Sequence, residues 1–478
     1  MSVLKRRLAA LLMVLCLLLP LATPAHAEAT VTHQQLENLL LSVDGGEPRT
    51  VRTIHYSYDY NRYVSLRDMA AALSGTGKHF DLSIADDQVF ITTGRDYTPA
   101  GGEGEPFPDS GTYATRPLAL YLIWLDGREL HYLSFLGNNS ASRPDCFMSL
   151  TDLAMQLDLS LEVSAGRMSL NSREGFTIDL DTLREGGFYY EIHSGLVGDA
   201  TTGAIYTAWE PLLSVPIAST TKLMSFVVIM DAVSDGEITL SDSVTIPAEA
   251  ARLSRTADGV IYMETGQLTN VTDLLCAMLV LSSNESATAL AVHTCGSEAA
   301  FVERMNRKAQ VLGLSEGTVF YNCNGLPVYT DNLAATKVQN RMSAYDMFEL
   351  VRYLLATYPE VTRITSLKTV KLESFDVTIA NTNTLLYNLP GVVGLKTGTT
   401  NMSGACLVTA MEARDANGEV HMLVSIEFGA EDSTVRTTLS EEMLRYGLQV
   451  LREQSASSPG PVIPIDAEEL IRAVLRSF

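Results

Sequence analysis

The sequence predicts a chain of more than one α+β domain, and three observations carry that expectation. Its 478 residues exceed what one hydrophobic core ordinarily organises. Residues 28–174 contain a short pattern that occurs twice, each time as a capped helix followed by alternating apolar residues. From residue 175 to 454 the pattern changes to long apolar helical runs interleaved with strands. With 46% hydrophobic and 19% charged residues, the chain can build real cores. A net charge of −22 excludes nucleic acid as a partner class, because phosphate backbones reward clustered Lys and Arg.

At the N-terminus, Lys5, Arg6 and Arg7 precede an apolar run from Leu8 to Ala22, and Ala25-His26-Ala27 supplies a small-x-small pattern before Glu28. Residues 1–27 therefore read as a secretory signal peptide, too short and too interrupted by Pro20 to span a bilayer comfortably. The remaining chain is expected outside the cytoplasm.

The repeat begins with Tyr63-Val64-Ser65-Leu66-Arg67-Asp68-Met69-Ala70, echoed by Phe147-Met148-Ser149-Leu150-Thr151-Asp152-Leu153-Ala154. In each copy a serine precedes a short helix and an aspartate sits three residues on. That is an N-cap with an acid placed where the helix dipole favours it. Leu82, Ile84, Val89 and Ile91 follow the first helix, and Leu161, Val163, Met168 and Leu170 the second. Asp86-Asp87 and Ala165-Gly166 fall where a hairpin turn belongs. One such unit is too small to bury much alone, so two are expected to pack as a small α+β domain over 28–174. Thr98 to Pro117, rich in Gly, Pro and Glu, reads as a mobile connection. The repeat resembles the copper amine oxidase N-terminal-like stalk domain of secreted bacterial proteins. That resemblance implies a spacer, or a docking role toward the wall or a protein partner. It implies no copper, because the segment offers no ligand set. At the other end, Ser455 to Pro461 reads as a linker, and Ala467 to Phe478 as a short packed or solvated helix.

Cys146, Cys276, Cys295, Cys323 and Cys406 are scattered, with no C-x-x-C and no histidine spacing to match. They indicate neither a disulfide framework nor a metal site, and no cofactor is expected.

The chemistry-bearing residues fall in the 175–454 region. Ser219-Thr220-Thr221-Lys222 opens an apolar helix, placing the amine one turn from the hydroxyl on the same face. A serine hydroxyl needs a base, and an amine in a water-poor pocket among other cations can lose its charge and serve as one. Ser282-Ser283-Asn284 lies in a turn between an apolar helix ending at Ser282 and an Ala-rich helix restarting at Ser286. Lys396-Thr397-Gly398-Thr399 reads as a strand, with Lys396 as the second charge that keeps Lys222 neutral. Gly398 removes a side chain where another backbone could lie alongside. Taken singly, each has an ordinary reading: a cap and a surface lysine, turn residues, an exposed strand lysine.

Together, S-x-x-K, S-x-N and K-T-G in this order resemble the penicillin-binding proteins and serine β-lactamases. Over residues 194–454 the chain resembles their low-molecular-mass D-alanyl-D-alanine carboxypeptidases. Val197 to Gly203, Met305 to Leu314, Asn381 to Leu386 and Ser425 to Gly429 occupy the family's positions. The resemblance implies a transpeptidase/β-lactamase-like domain, an antiparallel sheet flanked by helices. It implies Ser219 as nucleophile, Lys222 as acylation base and Ser282 as proton shuttle. Asn284, Lys396, Thr397, Gly398 and Thr399 would position substrate, the N–H groups of Ser219 and Thr399 forming the oxyanion hole. Arg436 would pair with the substrate's terminal carboxylate. Peptidoglycan stem peptides and β-lactam inhibitors are the implied partners, and the cell wall the implied location. Asn322-Cys323-Asn324-Gly325-Leu326 departs from the family's usual histidine before Gly-Leu. A β-lactamase would need a Glu-x-x-Leu-Asn element that Glu316 to Asn322 does not supply. An endopeptidase on D-alanyl cross-links would use the same residues, and a non-catalytic wall-binding protein would be expected to have lost a motif.

Overall fold

Strands β1 (Gln34–Val43), β2 (Arg49–Tyr56) and β3 (Arg62–Ser65) lead into helix α1 (Leu66–Leu73), then β4 (Phe80–Ala85) and β5 (Gln88–Thr93). The second half follows as β6 (Ala114–Pro117), β7 (Ile123–Leu125), β8 (Arg128–Leu130), β9 (Ser134–Asn138), β10 (Asp145–Ser149), α2 (Leu150–Leu157), β11 (Ser160–Ser164) and β12 (Arg167–Asn171). This computed structural model describes residues 34–456 apart from 57–61, 86–87, 108–113, 118–122, 133, 139–143, 165–166, 179–191 and 330–336. The leader expected at residues 1–27, both expected hairpin turns and the C-terminal segment beyond 456 lie outside the described residues.

Both helices start where the sequence caps them. Ser65 Oγ accepts from the Asp68 N–H at 3.1 Å and Ser149 Oγ from the Asp152 N–H at 3.3 Å. The two copies meet antiparallel: Tyr63, Val64 and Ser65 pair with Ser149, Met148 and Phe147. Equivalent residues thus face each other about the Val64–Met148 pair, a local two-fold relation. A strand of each half also joins the other's hairpin, β1 running parallel to β12 and β7 parallel to β5. The result is an eight-stranded sheet, β11-β12-β1-β2-β3-β10-β9-β6, and a four-stranded one, β4-β5-β7-β8. Asp44-Gly45 and Asp126-Gly127 turn at positive φ (53°, 73° and 50°, 79°), the conformation of tight hairpin turns. Asp44 accepts from the Ser172 N–H and hydroxyl, and Asp126 does the same with Thr93. Between the copies a buried Arg52 pairs with Asp68 at 2.8 Å and Asp145 at 3.0 Å.

Residues 98–107 do not form the mobile connection that the composition of Thr98 to Pro117 suggested. Tyr97 and Phe107 are buried, Glu103 accepts from the Tyr97 hydroxyl and the Ala100 N–H at 2.7 Å each, and Gly104 N–H donates to Asp68 Oδ1. The glycines and acids there serve a folded loop, and residues 114–117 form a strand.

The second half is built on a five-stranded antiparallel sheet. Its elements are β13 (Ser194–Asp199), β14 (Ala204–Trp209), β15 (Val392–Thr400), β16 (Gly404–Arg414) and β17 (Val420–Ala430), ordered β14-β13-β17-β16-β15. One face packs on a helical layer of α3 (Lys222–Ser234), α4 (Val271–Val280), α5 (Asn284–Cys295), α6 (Glu298–Val311) and α7 (Ala344–Thr357), with Phe226, Met278, Phe348 and Ile426 in one core. After the short helix α8 (Leu385–Asn388), α9 (Ser433–Ala456) covers the opposite face through Leu444, against Leu407 and Leu423. Strand β15 is thereby fixed at a sheet edge beside the start of α3.

The two halves meet through polar contacts. Arg128 donates to the Tyr387 and Asn388 carbonyls at 2.9 and 2.6 Å, and the Tyr132 hydroxyl to Glu441 at 2.5 Å. Gln156 donates to Tyr132 Oη at 2.7 Å and to Glu441 Oε1 at 3.2 Å, while His131 stacks on Tyr387 at 3.8 Å. Among the described residues, no helix is long and apolar enough to cross a membrane.

Candidate active site

Residues 218–221 form a turn of 3-10 helix that runs into α3. In such a turn residues three apart eclipse, which stacks Lys222 directly on Ser219. Lys222 is fully buried and its Nζ lies 2.8 Å from Ser219 Oγ. The same amine donates to Asn284 Oδ1 at 2.7 Å and to the Asn324 carbonyl at 2.8 Å. Asn284 Nδ2 donates to the Asp258 carbonyl at 2.8 Å, which fixes the amide so that its oxygen faces the lysine.

Burial pushes the Lys222 amine down to about 7 from 10.5, against weaker upward pulls from Cys323 and Glu285. Of the two expected causes, the water-poor pocket and the charge of Lys396, burial is the one that depresses Lys222. The Coulombic influence runs the other way. Lys396, also fully buried, is held well below its ordinary value first by burial and then by the charges of Lys222 and Arg436.

Strand β15 approaches Ser219 at Gly398. A Cβ there would stand 2.8 Å from Ser219 N and 3.0 Å from Ala218 Cβ, so only glycine lets this strand and the 3-10 turn touch. Along it, Lys396 Nζ donates to the Thr397 carbonyl at 2.9 Å, and Thr397 Oγ1 meets Thr382 Oγ1 at 2.6 Å. Arg436, near the start of α9, donates through one amino group to Gly398 O at 3.1 Å, Thr399 Oγ1 at 2.9 Å and Cys406 O at 3.4 Å. Thus Ser219, Lys222 and Asn284 form one bonded cluster, and Lys396, Thr397, Thr399 and Arg436 adjoin it across Gly398. Ser282 is not hydrogen-bonded into that cluster. It lies in the loop before Asn284 at φ 69°, and its hydroxyl makes no hydrogen bond among the described residues. The helices flanking that loop end at Val280 and restart at Asn284, earlier than Ser282 and Ser286. Ser283 caps the second one by accepting from the Ser286 N–H.

Sequence reasoning missed what holds the third side of the cleft. Asn340 is fully buried; it accepts from the Tyr321 and Asn322 N–H groups and donates to Thr221 Oγ1 and Asn322 O. Gln339 donates to Gly325 O at 2.7 Å and accepts from Thr400 Oγ1 at 3.1 Å, tying the Asn322–Leu326 loop to β15. Gly325, at φ +90°, would place a Cβ 2.0 Å from Ala218 O. Ala218 itself has φ 46°, backbone strain of the kind that persists where surrounding contacts over-determine it. The Gln-Asn pair belongs to no motif, and only the Asn-Gly step in the loop signalled a turn. A groove of about 1260 Å³ reaches the cluster at Asn324, Thr399 and Asp258. Among the described residues, no group of His, Cys, Asp and Glu could hold a metal ion.

The arrangement is that of a serine hydroxyl against a buried amine of lowered proton affinity, beside a strand edge that carries Lys396 and adjoins Arg436. Residues 190–427 match the family model of the D-alanyl-D-alanine carboxypeptidases. The D-alanyl-D-alanine carboxypeptidase DacF of Bacillus subtilis is 31% identical over 269 residues, 56% of this chain and 64% of that one. A D-alanyl-D-alanine endopeptidase of Pseudomonas aeruginosa is 31% identical over 243 residues, 49% of this chain and 71% of that one. A solved peptidoglycan synthesis regulatory factor (PBP3) from Streptococcus pneumoniae superposes with a TM-score of 0.50 at 28% identity, covering 54% of this chain and 72% of that one. The chain thus spans a little under two thirds of the length of the carboxypeptidase relative. On the match of motif order, geometry and sequence, this chain belongs to the D-alanyl-D-alanine carboxypeptidase family.

Proposed function

We propose that the protein is a serine D-alanyl-D-alanine carboxypeptidase that removes the terminal D-alanine of peptidoglycan stem peptides and is acylated by β-lactams. The observation that carries this reading is the uncharged-amine geometry at Lys222. A neutral amine has two N–H groups and one lone pair. Two acceptors, Asn284 Oδ1 and Asn324 O, take the N–H groups. The lone pair is left toward Ser219 Oγ at 2.8 Å, placed to accept the hydroxyl proton as the oxygen attacks the peptide carbonyl. An acyl-enzyme on Ser219 forms and free D-alanine leaves, taking a proton back from the Lys222 ammonium. Backbone N–H groups of Ser219 and Thr399 would stabilise the developing oxyanion, brought together by the bare Gly398. Arg436, anchored to Thr399, would meet the substrate's terminal carboxylate, and Lys396 and Thr397 would orient the chain. Ser282 retains its assigned proton-relay role only if substrate binding turns its hydroxyl toward the amine.

The N-terminal repeats would act as a spacer or docking module, and the leader at 1–27 would deliver the protein to the cell wall. The named endopeptidase relative favours one second reading, hydrolysis of D-alanyl cross-links in the same groove. The experiment offers stem pentapeptide and a cross-linked dimer to the purified protein, and to Ser219→Ala. Free D-alanine from the pentapeptide supports the carboxypeptidase, and monomers from the dimer alone support the endopeptidase. No product from either, with no label from a reporter penicillin on Ser219, would end both readings.

A further inference from the structure

Strand β17 carries a carboxyl group in an unexpected place. Glu427 is fully buried, and neither of its carboxyl oxygens has a hydrogen-bond partner of ordinary geometry. In a strand alternate residues share a face, so Glu427 lies with Leu423 and Ser425 toward α9. The register with α9 is set by Ser425, whose Oγ lies 2.7 Å from Ser440 Oγ. Arg436 sits four residues before Ser440, one turn along the same face of that helix. Glu427 is two residues on from Ser425, so the acid and the guanidinium share one buried layer.

Arg436 is unusual in the complementary way. Its one bonded amino group meets three neutral acceptors, and its buried Nε has no partner. A buried guanidinium with no anion on it is costly, and so is a buried acid whose neighbouring hydroxyls, Ser425 and Ser440, do not meet it at ordinary hydrogen-bond geometry. Two such groups side by side, left unpaired beside a cleft, keep a charge in reserve. We propose that Glu427 is a positioning residue for Arg436: protonated, it leaves the guanidinium free to bind an incoming carboxylate, and ionised, it draws that charge away from the cleft. The inference rests on the reading that Arg436 receives the substrate's terminal carboxylate.

Burial raises the Glu427 carboxyl well above the ordinary range, with Ser440, Ser425 and Arg436 acting in the opposite direction. Other groups face it. From β16 comes the Cys406 thiol, from α9 Arg436 and Ser440, and from β13 only Gly195, its register partner. The charged groups that act with Arg436 besides Glu427 are Asp432, at the turn before α9, and Lys396 on β15. The His193 ring packs where a Gly429 side chain would be, at a bulge in β17, and is the titratable control.

The test measures kcat and KM across neutral to mildly alkaline pH for a D-alanyl-D-alanine peptide and for its C-terminal amide. Wild type is expected to show KM for the free acid rising about tenfold as Glu427 ionises, the size of a one-unit linkage. KM for the amide should stay flat. Glu427→Gln, and Glu427→Met as a second replacement, should flatten the free-acid profile and leave kcat following Lys222. His193→Gln should keep the rise. The same rise in Glu427→Gln, or its loss in His193→Gln instead, would overturn the proposal. Should Arg436→Ala affect acid and amide alike, the carboxylate-binding reading itself fails and this inference with it. A selective loss there, with Glu427→Gln unchanged, would sink this inference alone.

Discussion

Lys222 costs the fold stability in a way that can be read out. Its amine titrates near 7 in the folded chain and near 10.5 when unfolded. Between those values the unfolding chain takes up a proton. Stability therefore rises with pH across that window, by up to about 1.4 kcal/mol per pH unit. Lys396, depressed in the same direction, adds to the slope. Thermal unfolding of Lys222→Met, followed from neutral to alkaline pH, should show a shallower rise than wild type and a higher Tm at neutrality. Equal slopes would mean that the amine is charged in the folded state. The sequence made the Ser219–Lys222 pairing legible because three-residue spacing at a helix start fixes both direction and distance. It did not reveal Asn324 as a partner, because a backbone carbonyl has no signature in side-chain identity. Nor could it rank burial above the Lys396 charge, since desolvation is set by helices distant in the chain.

At the scale of elements, the contact between β15 and the 3-10 turn decides whether separate motifs become one site. Gly398→Ala forces a methyl against Ser219 N. Displacing the strand by even about 1 Å is expected to lower the acylation rate about a hundredfold, with circular dichroism unchanged. A near-normal rate would show that the strand does not set the oxyanion position. The repeated caps make an independent prediction. Ser149→Ala removes the acceptor for the Asp152 N–H and should cost about 1 kcal/mol in chemical denaturation. The helices and hairpins of the repeat were legible from caps and alternation. Strands β1 and β2 were not read, although Asp44-Gly45 and Asp126-Gly127 are hairpin signals in plain view. The exchange of strands between copies was also hidden, because parallel pairing with a distant partner leaves no local pattern. In the loop after Thr98, composition misled: Gly and Glu there cap and bond a fixed conformation around Asp68.

Across the whole molecule, the N-terminal module touches the second half at α8, four residues before the start of β15, and at Glu441 on α9. Glu441 is fully buried, and Tyr132, Gln156 and Arg445 satisfy it. Tyr132→Phe removes one donor from a buried carboxylate and should destabilise the protein by about 1–3 kcal/mol. Hydrogen exchange at residues 385–388 should rise in the same variant if the module supports α8; unchanged exchange would mean that the two halves are held elsewhere. None of these contacts was visible beforehand, because they join residues hundreds of positions apart without any shared motif.

The account turns on an uncharged amine held against the Ser219 hydroxyl, and the pH dependence of acylation by a reporter penicillin tests it most directly. The rate should climb with pH through a midpoint near 7, the value to which burial brings Lys222, and Lys222→Arg should abolish it. A rate that shows no such midpoint, or that survives in Lys222→Arg, would contradict the account.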